Sequence, residues 1–161
     1  MERSAEIEEL VRDWFAAASL GDASVVDRYV TADPAVRVVG SDPDEWIKGG
    51  ELVAEFLRGE VAGAGGDVRF TPSEIEGYSE GDVGWAATKL TISLPDGKRI
   101  QPRWTAVFVR QDGWKFVQTH ASIAVANNEV AGPTPDVPGS PGVARSPVEG
   151  RPAPTWPGTV R

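Results

Sequence analysis

Residues 98–126 read KRIQPRWTAVFVRQDGWKFVQTHASIAVA, and this stretch decides the fold. Two runs rich in β-branched and aromatic residues flank Gln111-Asp112-Gly113, a cluster with the chemistry of a tight hairpin turn. The reading is a hairpin of two long strands, Lys98 to Arg110 and Trp114 to Ala126. Period-two alternation sorts the second strand into Trp114, Phe116, Gln118, His120 and Ser122 on one face, with Lys115, Val117, Thr119, Ala121, Ile123 and Val125 on the other. A polar group then sits amid aromatics. In the preceding strand Gln101, Arg103, Thr105, Val107 and Val109 alternate with Ile100, Pro102, Trp104, Ala106 and Phe108. Both sets are largely apolar, which predicts a sheet covered on both sides and a symmetric dimer formed through it.

Upstream of this hairpin, Val68 to Tyr78 and Val83 to Leu94 read as two further strands, divided by Glu80-Gly81-Asp82 and Pro95-Asp96-Gly97, so the second half is a meander of consecutive hairpins. The first half reads as helical. Ser4 suits an N-cap, and Ile7, Leu10, Val11, Trp14, Phe15 and Ala18 recur on one face as far as Gly21. Asp22 caps a shorter helix that carries Val25, Val26, Tyr29 and Val30 and ends at Asp33-Pro34. Ala35 to Gly40 is a short strand, SDPDE a turn, and Leu52, Val53, Phe56, Leu57 and Val61 mark a third helix. Three helices followed by a meander is an α+β plan: a cone-like curved antiparallel sheet wrapped around a long N-terminal helix.

The composition bounds the rest. From residue 132 to 161 the chain holds eight of its 13 prolines and no hydrophobic periodicity, so residues 1–131 are read as the domain and 132–161 as a Pro/Gly-rich extended or disordered tail. Trp156 is its one aromatic anchor. A net charge of −8 disfavours nucleic acid as a partner. The chain has no Cys and a single His, which removes thiolate chemistry and imidazole clusters, and neither a metal nor a cofactor is expected. The N-terminus lacks an apolar leader and no run is long enough to span a bilayer, so a cytoplasmic protein with no membrane partner is expected.

His120 carries the most chemistry, because its imidazole titrates near neutrality and a pocket carboxylate would tune it as a general base; a hydrogen-bonded structural role is the alternative. Arg37 and Arg103, if both inward, would receive a carboxylate or enolate, or each pairs with an acid such as Asp27, Glu51 or Glu55. Trp14, Trp46, Trp85 and Trp104 would suit an aromatic cage, or simply pack the core. Asp42, Asp44 and Glu45 lack the spacing of a calcium loop.

The segment from Trp114 to Ser122 after Gln111-Asp112-Gly113, with Arg103 on the preceding strand and Gly40 to Gly49 (GSDPDEWIKG) upstream, resembles the SnoaL-like and nuclear-transport-factor-2-like superfamily. The resemblance covers about residues 4–127. It implies a long first helix in a cone-shaped sheet, dimers through the sheet and a pocket on the concave face. Position by position it speaks against steroid isomerisation: Val38 stands where ketosteroid isomerases carry the catalytic aspartate, and Thr105 falls near their second aspartate. Against scytalone-dehydratase-like members, His120 fits the last-strand histidine while Ser19 falls near their aspartate. The leading expectation is a small-molecule-binding protein whose pocket is lined by Trp14, Arg37, Trp46, Trp85, Arg103, Gln118, His120 and Ser122 and takes a small apolar or acidic molecule. Alternatives are a cofactor-independent dehydratase or isomerase with His120 as base, and a non-catalytic association domain, the last because the Trp, Gln, His, Ser spacing is similar to that of the association domain of calmodulin-dependent kinase.

Overall fold

The computed structural model describes residues 1–125, so the Pro/Gly-rich segment and Trp156 lie outside the described residues. In chain order the elements are β1 (Glu2–Arg3), α1 (Ala5–Leu20), α2 (Ser24–Tyr29), β2 (Arg37–Val39), β3 (Trp46–Lys48), α3 (Gly50–Ala64), β4 (Arg69–Glu80), β5 (Val83–Ser93), β6 (Arg99–Ile100), β7 (Pro102–Gln111) and β8 (Gly113–Ile123).

The first helix forms where its sequence dictates. The Ser4 hydroxyl accepts the Ile7 N–H at 3.4 Å, Glu6 and Glu8 occupy the positive end of the helix dipole, and Gly21 closes the helix at φ 71°. Its apolar stripe is buried as the periodicity requires. The second helix differs from the expectation. Asp22 does not serve as its N-cap, but its carboxylate accepts the Ser24 N–H at 3.1 Å, and the helix stops at Tyr29 because Val30 turns extended and bridges to Phe116.

The sheet runs β1-β4-β5-β7-β8-β2-β3, with β6 beside β5, and curves around α1 without closing. All pairings between these strands are antiparallel except that of β2 with β8, on whose strand the isolated Val30–Phe116 bridge is parallel as well. That parallel pairing departs from a pure meander: it carries the β2–β3 hairpin to the far side of the last strand. Neither β1 nor β3 was expected, since a strand of two or three residues is too short to show alternation.

The inner face holds the core. Ile7, Val11, Trp14 and Phe15 of α1 pack on Ala86, Leu90, Trp104, Ala106, Phe108 and Phe116. Close approach requires small residues opposite the helix. A Cβ on Gly84 would stand 2.2 Å from Ile7 Cδ1, and one on Gly77 would stand 2.9 Å from Glu8 Cγ and 3.1 Å from the Glu8 backbone nitrogen. Beside Gly77 the buried Glu8 receives Arg3 Nε at 2.7 Å and Arg12 at 3.2 Å, and these donors hold its carboxyl below the usual range against the opposing effect of burial.

Candidate functional site

A single extra residue sets the geometry of the last strand. Val107 pairs with Gln118 while the next residue, Phe108, pairs with Phe116, leaving Val117 as a β-bulge without an opposite number. The alternation changes phase there. Trp114 and Phe116 point into the core, and beyond the bulge Thr119, 7% exposed, takes the inward place. Gln118 and His120 are exposed on the outer face. The expectation that Trp114, Phe116, Gln118, His120 and Ser122 share one face is therefore corrected: the aromatics and the polar residues face opposite sides of the sheet.

The rest of the expected pocket divides the same way. Trp14 is interior, meeting Phe116 edge-on at 4.9 Å, and Trp104 meets Phe15 at 5.2 Å and Phe116 at 5.9 Å, also edge-on. Arg103 stands opposite Ser122, Thr105 opposite His120 and Val107 opposite Gln118, so Arg103 shares the outer face with the polar set. Arg37 lies beside Gln118, but its Nη1 donates back to the carbonyls of Pro34 at 2.6 Å and Val36 at 2.7 Å. The two arginines do not converge inside the cone. Trp85 stacks on Tyr78 at 6.1 Å, one strand beyond Val107.

What does converge is His120, Ser122 and Trp46. The parallel β2–β8 pairing sets Val39 beside His120, and the β2–β3 hairpin sets Trp46 beside Val39, so Trp46 and His120 lie two strands apart on one face. Between them, under the turn from Gly40 to Glu45, opens a cleft of about 350 Å³ that also reaches Ile123. Trp46 is 62% exposed at its edge. The turn is built from its own carboxylates: Asp42 Oδ1 accepts the Asp44 N–H and Glu45 Oε2 the Asp42 N–H, each at 3.1 Å. A Cβ on Gly40 would meet the Glu45 Cβ at 2.5 Å, so glycine is needed where the turn folds back. The cleft lining includes the carboxylates of Asp42 and Glu45 and no Lys or Arg. These turn residues were missed as site residues because only the parallel pairing brings them to His120.

A second cleft, of about 540 Å³, lies between β3 and the outward side of α3, lined by Ile47, Leu52, Glu55, Phe56, Gly59 and Glu60. Burial raises the Glu60 carboxyl above its ordinary value, and the neighbouring Glu45 charge adds to the shift. Neither cleft touches the aromatic core. Among the described residues no group of three or more His, Asp or Glu side chains is arranged to hold a metal ion, and no helix is long and apolar enough to cross a membrane.

A helix held in a curved, unclosed sheet is the architecture of nuclear-transport-factor-2-like proteins, and solved structures agree. The chain superposes on such a protein of unknown function from Pseudomonas putida KT2440 with a TM-score of 0.65 at 19% identity, over 73% of this chain and 84% of that one. A candidate dehydratase of the same fold family from Streptomyces avermitilis gives 0.63 at 20% identity, over 75% and 95% of the two chains. A candidate scytalone dehydratase from Novosphingobium aromaticivorans gives 0.59 at 14% identity, over 74% and 82%. Within this class the sequence is more specific: residues 7–126 match the SnoaL-like domain, and the chain belongs to that family. Among curated proteins no sequence matches it.

Proposed function

We propose that this chain is a cytoplasmic small-molecule-binding protein of the SnoaL-like family, with its ligand held in the cleft between Trp46 and His120. The observation that carries this reading is the open cleft of about 350 Å³, large enough for one ring system and bordered by an exposed indole and an imidazole. Of the two ligand classes the sequence allows, an apolar ring is favoured over a short acid, because the lining offers two carboxylates and no cation. A second copy of the chain is the partner proposed for the outer face, where Tyr78, Trp85 and Val107 form one row and Val83 and Val109 the next. Such an apolar run is what a homodimer through the sheet would bury.

The catalytic alternative takes its support from the candidate dehydratases of the same fold. It needs a partner that tunes His120, and among the described residues none forms a hydrogen bond or ion pair with that imidazole. Binding without catalysis is therefore the stronger reading. The test is a calorimetric titration of the full chain with neutral bicyclic aromatics and with short carboxylic acids, repeated on Trp46→Ala and His120→Ala. Saturable binding of an aromatic that weakens about tenfold in either variant is expected. Binding that ignores both substitutions would reject the cleft.

A further inference from the structure

The apolar surface of α3 continues beyond the side that lies on the core. Val53, 1% exposed, and Val61 face inward, while Leu52 is 60% exposed and lines the outward cleft with Phe56, whose ring packs at its base against the cluster of Val36, Val38 and Val53. Beside this groove runs β3, the last strand of the sheet, with no further strand beyond it among the described residues. Val38 and Ile47 are opposite, and the flanking bonds from Gly40 N to Glu45 O and from Gly49 N to Val36 O fix which residues exchange hydrogen bonds across the hairpin. The antiparallel alternation then turns the Lys48 N–H, the Lys48 carbonyl and the Trp46 carbonyl away from β2. Among the described residues an open edge and an apolar groove adjoin.

We propose that the β3 edge and the α3 groove form a docking site for an extended segment of another polypeptide that alternates basic and apolar residues. Strand addition to an edge satisfies main-chain groups and sends successive side chains to opposite faces. Here one face offers the Leu52 and Phe56 groove and the other the indole of Trp46. Charge selects a basic partner: Glu51, Glu55 and Glu60 line α3 and Asp44 and Glu45 precede β3, while Arg58 of the same helix is already engaged by Asp27 at 2.5 Å. Lys48 is the cation of this edge, and a lysine on an edge strand restrains pairing with a second copy of the same strand. Glu60, whose carboxyl burial and then the Glu45 charge raise above its ordinary value, stands in the groove wall itself.

The probe is a synthetic capped peptide of about eight residues alternating Lys and Val, titrated calorimetrically into the full chain. Three comparison titrations are made: the peptide with Glu for Lys, the peptide N-methylated on alternate residues, and the original peptide with the Leu52→Glu variant. Saturable 1:1 binding is expected, weakened at least about tenfold in each comparison and unchanged in His120→Ala, which separates this site from the proposed small-molecule cleft. The Leu52→Glu arm has a diagnostic sign, since an added carboxylate strengthens diffuse attraction to a basic peptide and weakens docking in an apolar groove. No saturable binding, equal binding of the N-methylated peptide, or tighter binding to Leu52→Glu each overturns the proposal.

Discussion

The inner end of the β7–β8 hairpin and its outer edge are continuous in sequence and opposite in character. Inside, Trp14 and Phe108 each meet Phe116 at 4.9 Å between ring centres and Trp104 meets it at 5.9 Å, and Phe116 is 1% exposed. Four residues further along the same strand, His120 stands in the open beside a 62% exposed tryptophan. One aromatic-rich hairpin thus supplies both the packing and the candidate site, and Val117 is where it changes from one to the other. Tryptophan content alone carries no information about a pocket: Trp14 and Trp104 are structural, and Trp46 is available.

A contrasting pair of substitutions gives the largest expected effect. Phe116→Ala empties the centre of the aromatic cluster and is expected to cost about 3–5 kcal/mol, whereas His120→Ala, three strand positions past the bulge, is expected to change stability by no more than about 0.5 kcal/mol. Urea midpoints of the two variants measure the contrast. Comparable losses would mean that His120 is part of the core after all.

The legibility of the sequence follows the same division. The stripe from Ile7 to Ala18 and the turns at Gly81, Gly97 and Gly113 are local signals repeated over many residues, so α1 and the four long strands could be read before any contact was known. The bulge could not, because Val117 differs in no way from a normal strand residue and its extra place is apparent only against β7. Trp46 and His120 were each singled out as site residues, but their meeting depends on β2 pairing in parallel with β8 across a long stretch of chain, and no local pattern encodes that. The SDPDE cluster read as a turn is one, and no local pattern shows that its Asp42 and Glu45 line the cleft beside His120.

Tyr29 spans both regions and sharpens the comparison by the smallest amount. Its ring lies edge-on to Phe116 at 6.4 Å, while its hydroxyl reaches outward and donates to Asp13 Oδ2 at 2.8 Å. Burial, and then the bond to Asp13, push the phenol up to about 12. Because the folded value lies above the ordinary 10, the unionised hydroxyl contributes its full stabilisation below about pH 10, and that contribution disappears as the pH rises toward about 12. Tyr29→Phe is expected to cost about 1 kcal/mol at neutral pH, the net value of one hydrogen bond. Subtracting the variant's urea stability from the wild type's at each pH cancels the lysines that titrate in the same range. The difference should hold steady to about pH 10 and then shrink, as ionisation replaces a donor with a phenolate facing the Asp13 carboxylate. A difference that grows with alkalinity would mean that Arg28, which pairs with Asp13 at 3.3 Å and lies over the Tyr29 ring, outweighs the carboxylate and stabilises the phenolate in the folded chain.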